Sequence, residues 1–150
     1  MLKPRMAGTR QVQHDTYKYY KIIYRSYHML QSILAVGIGG FFGSILRYLI
    51  SHYINISAHS SFPFGTLTVN LVGSFLIGII IAAALDGDLT KSMRLLLATG
   101  FCGGFTTFST FSYEFFSLLQ HEEIGLAFLY AATSFVLGLA FVWLGFNLIK

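Results

Sequence analysis

The chain has 150 residues, of which 55% are hydrophobic and 11% charged, and its formal net charge is +4. Roughly a quarter of the residues in soluble globular domains are charged, so this composition excludes such a domain and predicts an integral membrane protein. A helix needs about 20 apolar residues to cross a bilayer core of about 30 Å, and the length therefore allows four spans with short loops.

Residues 1–28 form a basic, tyrosine-rich arm that does not read as a membrane span. The arm carries more than half of the chain's positive side chains: Lys3, Arg5, Arg10, Lys18, Lys21 and Arg25. A secretory signal has a short apolar region and a cleavage site, whereas the apolar run that follows here is long enough for a full helix. We expect the arm to be disordered, interfacial, or the product of an upstream start, since Met29 can also begin the protein. Residues 29–150 then form the membrane domain.

Four apolar runs predict an all-α membrane protein with transmembrane helices at about residues 30–50, 64–85, 93–119 and 124–149. Pro63 marks a helix start, Gly87 lies in a turn, and "QHEE" is a tight connection. Four spans put both termini on one side, and the basic arm predicts that this side is the cytoplasm. A start at Met29 would leave only a weak charge bias, which permits insertion in both orientations.

The loops offer no catalytic or metal-binding group. We expect His52, His59 and His121 to lie in loops and to be solvated, at no spacing typical of metal ligands. Because no nucleophile, base and orienting group can be assembled, the sequence favours a protein that is not an enzyme and has no catalytic residue.

Two motifs in the first two spans predict close helix packing and buried polarity. Gly39 and Gly43 form a GxxxG pattern, which lets helix backbones approach closely. Arg47 either extends to the headgroups or holds a fixed positive charge that attracts anions. In the second span, small and polar residues recur every four positions, so that they share one face: Thr66, Asn70, Ser74 and Gly78. Asn70 either bonds to another helix or offers a donor to an anion path.

The stretch "GFCGGFTTFSTF", Gly100 to Phe111, predicts that the third helix is broken at its glycines. Irregular backbone at membrane depth is tolerated only where protein or a watery cavity meets it, and it frees carbonyl and amide groups for ions. One face after the break is expected to be aromatic, with Phe105, Phe108, Phe111 and Phe115, and another to be polar, with Thr106, Thr110 and Glu114. Tyr130, Ser134 and Gly138 share a face of the fourth span.

Taken together, "GGFFGSILRY", "GTLTVNLVGSFLIG" and "GFCGGFTTFSTFSYE" resemble the Fluc (CrcB) family of small fluoride channels, over about residues 30–148. The resemblance implies an antiparallel homodimer of four-helix subunits, inserted in both orientations, with two fluoride pores; a heterodimer with a paralogous chain is the alternative. It also implies a structural Na⁺ ion at the dimer centre, held by the main-chain carbonyls of Gly103 and Thr106.

The same resemblance implies roles for individual side chains. The pore phenylalanines correspond to Phe108 and Phe111, the pore asparagine to Asn70, and the arginine of the first span to Arg47. The remaining residues of the expected fluoride path are Thr110, Glu114, Tyr130 and Ser134, although Gly138 and Val142 interrupt the outer end of this polar track. Gly39, Gly43 and Gly73 are expected to pack helices.

The function that the resemblance implies is passive, fluoride-selective export across the plasma membrane, which protects the cell from fluoride. The expected partners are fluoride, the lipid bilayer and a second subunit, with no nucleic acid. Two alternatives start from the residues alone. A proton-coupled exporter of small cations would need an unpaired carboxylate in the membrane, for which Glu114 is the candidate, and a structural packing subunit would explain the GxxxG pattern but not Asn70.

Overall fold

The computed structural model describes residues 7–58 and 60–150, with side chains from residue 12 onward, and these parts of the chain are helical with short turns and no strand. The helices are α1 Ala7–Ala58, α2 Phe64–Leu85, α3 Lys91–Arg94, a π-helical segment Leu95–Cys102, α4 Gly103–Phe105, α5 Phe108–Gln120 and α6 Ile124–Ile149. Contacts divide the chain into two units, residues up to Leu34 and Ala35–Lys150. Lys3, Arg5 and His59, named above, lie outside the described residues.

Within the described residues, three helices are long and apolar enough to cross a bilayer: Val12–Ala58, Phe64–Leu85 and Ile124–Ile149, each containing an 18-residue window with a mean hydropathy of 1.8, 2.2 and 2.0, respectively. The second and third coincide with predicted spans. The first extends beyond residues 30–50 in both directions, because no proline occurs between Pro4 and Pro63 to end the helix. His52 therefore lies in α1 and not in a loop, as the sequence had led us to expect, although it is exposed.

The segment from Lys91 to Gln120 is interrupted at Thr106 and Thr107, where the backbone is extended, with ψ angles of 157° and 123°. The prediction of a broken third helix is therefore right about its place in the chain, but the glycines are not the break. Gly103 keeps helical angles, φ −64° and ψ −35°. Gly100 and Gly104 instead lie so close to the backbone of α1 at Val36 and Gly40 that a side chain would collide with it.

The small residues of α2 and α6 allow these helices to pack backbone against backbone. A Cβ atom on Gly78 would overlap the carbonyl oxygen of Val142, and one on Gly145 would overlap that of Phe75. The end of α5 closes the core from the other side, where Leu118 and Tyr130 are buried together with Ala127 and Phe62. The interrupted segment packs against this α2–α6 pair.

Replacing Gly145 with Ala is expected to destabilise the protein by about 1–3 kcal/mol, because a backbone carbonyl cannot move away from the added methyl group as a flexible side chain can. The thermal unfolding midpoint of the purified protein in detergent measures this. Gly125→Ala on the same helix is the matched control, since no atom of the described residues lies within 4 Å of the position of its Cβ. Equal midpoints for the two variants would contradict the close packing.

Candidate functional site

Asn70 on α2 holds the interruption at Thr107 with two hydrogen bonds. Its Nδ2 donates to the carbonyl oxygen of Thr107 over 3.1 Å, and the Thr107 amide donates to its Oδ1 over 2.8 Å. The side chain thus replaces the partners that both backbone groups would have in a continuous helix. Because a primary amide has two N–H groups, one donor of Asn70 takes part in this pair and a second is available to another acceptor.

The interruption also redirects the amides that normally bond to Gly103 and Thr106. In a regular α-helix the amide of residue i donates to the carbonyl of residue i−4. Here the amide of Thr107 donates to Asn70 instead of to Gly103, and the amide of Thr110 donates to Oγ1 of Thr107 over 3.1 Å instead of to Thr106. The carbonyl oxygens of Gly103 and Thr106 are thereby released from their helical donors. Such oxygens are suitable ligands for a hard cation.

Glu114 on α5 joins α2 and α6 through its two carboxyl oxygens. Thr66 Oγ1 donates to Oε1 over 2.7 Å, and the Tyr130 hydroxyl donates to Oε2 over 2.8 Å. Thr66 is 2% exposed and Tyr130 fully buried. The two donors make this carboxyl group the centre of a three-helix polar cluster.

An aromatic row follows the interruption along α5. The ring centroids of Phe108 and Phe111 are 5.8 Å apart, and those of Phe111 and Tyr130 are 4.9 Å apart. Phe115 continues the row, with its ring centroid 6.3 Å from that of Phe111. Phe105, which we expected on the same face, instead lies before the interruption in α4, where it is buried and stacks on Phe101 at 5.6 Å. The extended threonines change the direction of the chain, so the helical spacing does not carry across them.

A cavity of about 510 Å³ brings many of the predicted site residues together. Its lining includes Asn70, Gly73, Gly103, Thr106, Phe108, Phe111 and Ser134. Ser134 Oγ is buried and makes no hydrogen bond within the described residues, which is unusual for a buried polar atom. The cavity thus combines aromatic rings with a hydroxyl and an amide that have hydrogen-bonding capacity.

A second cavity, of about 220 Å³, lies on the other side of the interruption. It is lined by Arg47, Thr66, Thr107, Thr110 and Glu114, and by Tyr48, Ser51, His52 and Asn55 of α1. Arg47 does not extend away from the protein here, because its Nε donates to the carbonyl oxygen of Gly104 over 3.0 Å. Thr107 lines both cavities, so the interruption lies between a space that contains Arg47 and Glu114 and an aromatic one.

The three glycines that we expected to pack helices lie in close contact with the interrupted segment. Gly39 and Gly43 of α1 lie against the backbone of Phe101, and Gly73 of α2 lies against the Thr106 side chain. The GxxxG pattern therefore packs α1 against the π-helical segment of the same chain. A Cβ on any of the three would overlap these atoms.

Thr107 is the residue that sequence reasoning missed. It caps α5 through its hydroxyl and bonds to Asn70 through its backbone. The sequence signal for this role is that Thr107 directly precedes α5, because threonine is favoured at the N-cap of a helix, where its hydroxyl accepts from an amide such as that of Thr110.

In the described residues no group of three or more His, Cys, Asp or Glu side chains is placed to bind a metal ion.

Removing the Tyr130 hydroxyl is expected to lower stability by about 1–3 kcal/mol, because Tyr130→Phe deprives a partly buried carboxyl oxygen of its donor. Thermal unfolding in detergent would detect this as a lower midpoint. Tyr113→Phe is the control on α5, because Tyr113 is 72% exposed. The bond to Glu114 would be unimportant for stability if both variants unfolded at the temperature of the native protein.

Known proteins match this chain over most of its length. The family described as "CrcB-like protein, Camphor Resistance (CrcB)" matches residues 34–146. Three proteins named "Fluoride-specific ion channel FluC" are similar to it. That of Thermus thermophilus is 47% identical over 119 residues, 79% of this chain and 94% of the relative. That of Chlorobaculum tepidum is 49% identical over 123 residues, which are 81% of this chain and 97% of the relative. That of Methanococcus maripaludis is 54% identical over 93 residues, which are 62% of this chain and 75% of the relative.

Proposed function

The chain belongs to the CrcB family, and from this premise we propose that it is a fluoride-specific ion channel that lets fluoride leave the cell passively. The observation that carries the proposal is the similarity to relatives named as fluoride-specific channels, two of which are covered over 94% and 97% of their length. The chain is accordingly a channel and not an enzyme. Its three long apolar helices make it a membrane protein that crosses the bilayer more than once.

The proposed fluoride path runs along the aromatic cavity, past Asn70, Phe108 and Phe111. Fluoride is small and strongly hydrated, so a pore has to replace its water with hydrogen-bond donors or positive ring edges. The second N–H of Asn70 and the hydroxyl of Ser134, which has no partner in the described part of the chain, supply donors. The rings of Phe108 and Phe111 contribute partial positive charge at their edges, which attracts the anion without holding it as tightly as a full charge.

The proposed entrance is the smaller cavity beside Arg47. A cation attracts anions into a narrow space, and the bond to Gly104 keeps this guanidinium at the interruption. Thr110 and Glu114 line the same cavity, and Tyr130 connects it to α6 through the carboxyl group. Fluoride would move from this space to the aromatic cavity past Thr107.

The physiological role follows from the chemistry of the anion. Hydrogen fluoride is a neutral acid that can diffuse through a lipid bilayer, and it dissociates in the less acidic cytoplasm. Fluoride then accumulates as an anion that cannot cross the bilayer by itself. A passive pore in the plasma membrane lowers its cytoplasmic level and protects the cell from its toxicity.

The interrupted segment is proposed as a fourth membrane crossing, and the active unit as an antiparallel homodimer inserted in both orientations. Residues 91–120 are enough to cross a hydrocarbon core of about 30 Å at about 1.5 Å per helical residue. Phe108, a proposed pore residue, is 80% exposed in the single chain. A partner subunit that covers this ring would complete the wall of the pore; a paralogous chain is the alternative partner.

The carbonyls of Gly103 and Thr106 fit a structural Na⁺ ion, because the interruption releases both oxygens from their helical donors. We propose that these two groups hold the ion at the subunit interface. A bound Na⁺ would supply a fixed positive charge. The role of this chain is to keep the two oxygens available through the bonds of Asn70 and Thr107.

Fluoride efflux from liposomes that contain the purified full-length protein tests the proposed function. A fluoride-selective electrode would record rapid release of fluoride, and chloride efflux measured in parallel would remain at the level of protein-free liposomes. Failure of the folded protein to release fluoride would contradict a homodimeric channel. Recovery of release on co-expression with a paralogous chain would then identify a heterodimer.

The alternative of a proton-coupled cation exporter is disfavoured by the surroundings of Glu114. Such an exporter needs a membrane carboxylate free to exchange a proton for its substrate. Both carboxyl oxygens of Glu114 already accept hydrogen bonds from Thr66 and Tyr130. The cavity with the aromatic rings would also have no purpose in that mechanism.

The N-terminal arm is expected to be dispensable for conduction. The family match begins at residue 34, and neither proposed pore cavity includes a residue before Arg47. A truncated protein starting at Met29 should therefore release fluoride at the rate of the full chain in the same liposome assay. Loss of transport in a truncated protein that still folds would assign the arm to the channel.

A further inference from the structure

One side of α1 between residues 12 and 28 is an exposed face rich in tyrosine. Tyr17, Tyr20, Tyr24 and Tyr27 are separated by three or four residues, so they lie on the same side of the helix. Their side chains are 58–69% exposed, and together with Lys21 and Ile23 they line an open groove. We call these six residues the arm face.

Basic side chains lie within and beside the arm face. Lys21 is part of it, and Lys18 and Arg25 follow the same three- and four-residue spacing on the adjacent strip of the helix. All three side chains are exposed. The sequence up to residue 33 contains a single acidic residue, Asp15, whose carboxylate lies 3.8 Å from His14 Nδ1. The arm therefore presents aromatic hydroxyls and positive charge together.

We propose that the arm face binds the anionic phospholipid headgroups of the membrane surface next to the first span. Tyrosine is enriched at membrane–water interfaces, where its ring contacts the acyl boundary and its hydroxyl contacts water. Lysine and arginine next to a membrane helix are attracted to the negative surface potential of anionic lipids. The arm face meets both requirements with residues of one helical side.

The attachment of the arm to a membrane helix favours a lipid surface over other acidic partners. The arm belongs to the same chain as a helix segment that is long and hydrophobic enough to cross a bilayer, so the protein itself tethers the arm to the membrane. About 20 residues suffice to cross the hydrocarbon core, whereas α1 has 52, which leaves the arm outside it. A nucleic acid would also be attracted to interleaved tyrosine and lysine, but it would have to compete with a surface that is always present.

Chymotrypsin cleavage of the full-length protein in vesicles tests the proposal, because this protease cuts after tyrosine and its action does not depend on lysine or arginine. The protein is reconstituted in phosphatidylcholine alone, or with about a third of the lipid replaced by phosphatidylglycerol. Protease is added outside, and mass spectrometry of the intact chain follows cleavage between residues 17 and 27. We expect cleavage to be at least about tenfold slower in the anionic vesicles, since each cation near such a surface contributes a factor of about five.

Charge variants and salt separate electrostatic binding from other causes of protection. In Lys18→Gln/Lys21→Gln/Arg25→Gln the rates in the two kinds of vesicle should become equal. The matched variant Lys18→Arg/Lys21→Arg/Arg25→Lys keeps the charge and should remain protected. In about 0.5 M KCl the native protein should also lose its protection, because the charges are then screened within a few ångströms.

Three results would overturn the proposal. The first is equal cleavage of the native arm in neutral and anionic vesicles at low salt, and the second is protection that persists in the glutamine variant. The third is protection in neutral vesicles on addition of a short RNA duplex that equals or exceeds that by anionic lipid, which would assign the face to nucleic acid. Because cleavage of the arm is the readout, these results do not depend on whether the protein conducts fluoride.

Discussion

Asn70→Asp is expected to slow fluoride efflux by about 100-fold or more. The carboxylate can still accept the bond from the Thr107 amide, but it cannot donate to the Thr107 carbonyl or to an anion. It also puts a negative charge beside the proposed path. A lost bond to a charged group costs about 1.5–3 kcal/mol, and about 2.7 kcal/mol in a barrier is a factor of about 100. Fluoride efflux from liposomes is the measurement.

Asn147→Asp is the matched control, because it makes the same chemical change at an exposed site. The Asn147 amide donates to the Trp143 carbonyl of its own helix over 2.8 Å, and this residue lines neither proposed pore cavity. Efflux through this variant should equal that of the native protein. If Asn70→Asp and Asn147→Asp both conducted at the native rate, Asn70 would have no role in conduction beyond packing. Size-exclusion chromatography shows whether each variant is folded.

Replacing either Phe108 or Phe111 with Ile should reduce fluoride efflux at least about tenfold, corresponding to about 1.4 kcal/mol in the barrier. Isoleucine keeps an apolar surface in the cavity but lacks the positive edge of an aromatic ring. We expect the larger loss for Phe111, since its ring lies between those of Phe108 and Tyr130. The liposome assay measures both variants.

Phe116→Ile on the same helix controls for the effect of removing an aromatic ring from α5. Phe116 is 57% exposed and does not line the aromatic cavity. This variant should conduct at the native rate. Native efflux through both Phe108→Ile and Phe111→Ile would remove the ring edges from the mechanism, while an equal loss in Phe116→Ile would indicate a general defect of α5.

The sequence was most informative where the physical signal is local. Hydropathy alone identified the membrane class, and the bounds of α2 and α6 coincide with predicted spans, because Pro63, the turn at Gly87 and the "QHEE" connection lie next to clear apolar runs. The start of α1 was less predictable. The polar residues of the arm end the apolar run, but they do not end a helix.

The interruption shows what local reasoning could not provide. The glycines "CGG" were a correct signal of its neighbourhood, yet Gly103 and Gly104 remain helical, and Gly104 packs against Gly40 of α1. The residues that leave the helix are two threonines, one of which is bound by Asn70. Glycine permits both an unusual backbone and a close approach, and only the position of α1 decides which of the two occurs.

By itself, then, the sequence determined that the protein lies in a membrane, where the helices on either side of each clear turn begin and end, and which residues carry the family's motifs. The tertiary structure decided which donor meets which acceptor. Asn70 bonds to a residue 37 positions away, Thr66 to one 48 positions away and Arg47 to one 57 positions away. Hydropathy and helix-ending residues act over a few neighbours, whereas a hydrogen bond needs atoms about 3 Å apart in a defined direction. Such pairs arise only when helices distant in the chain have packed together.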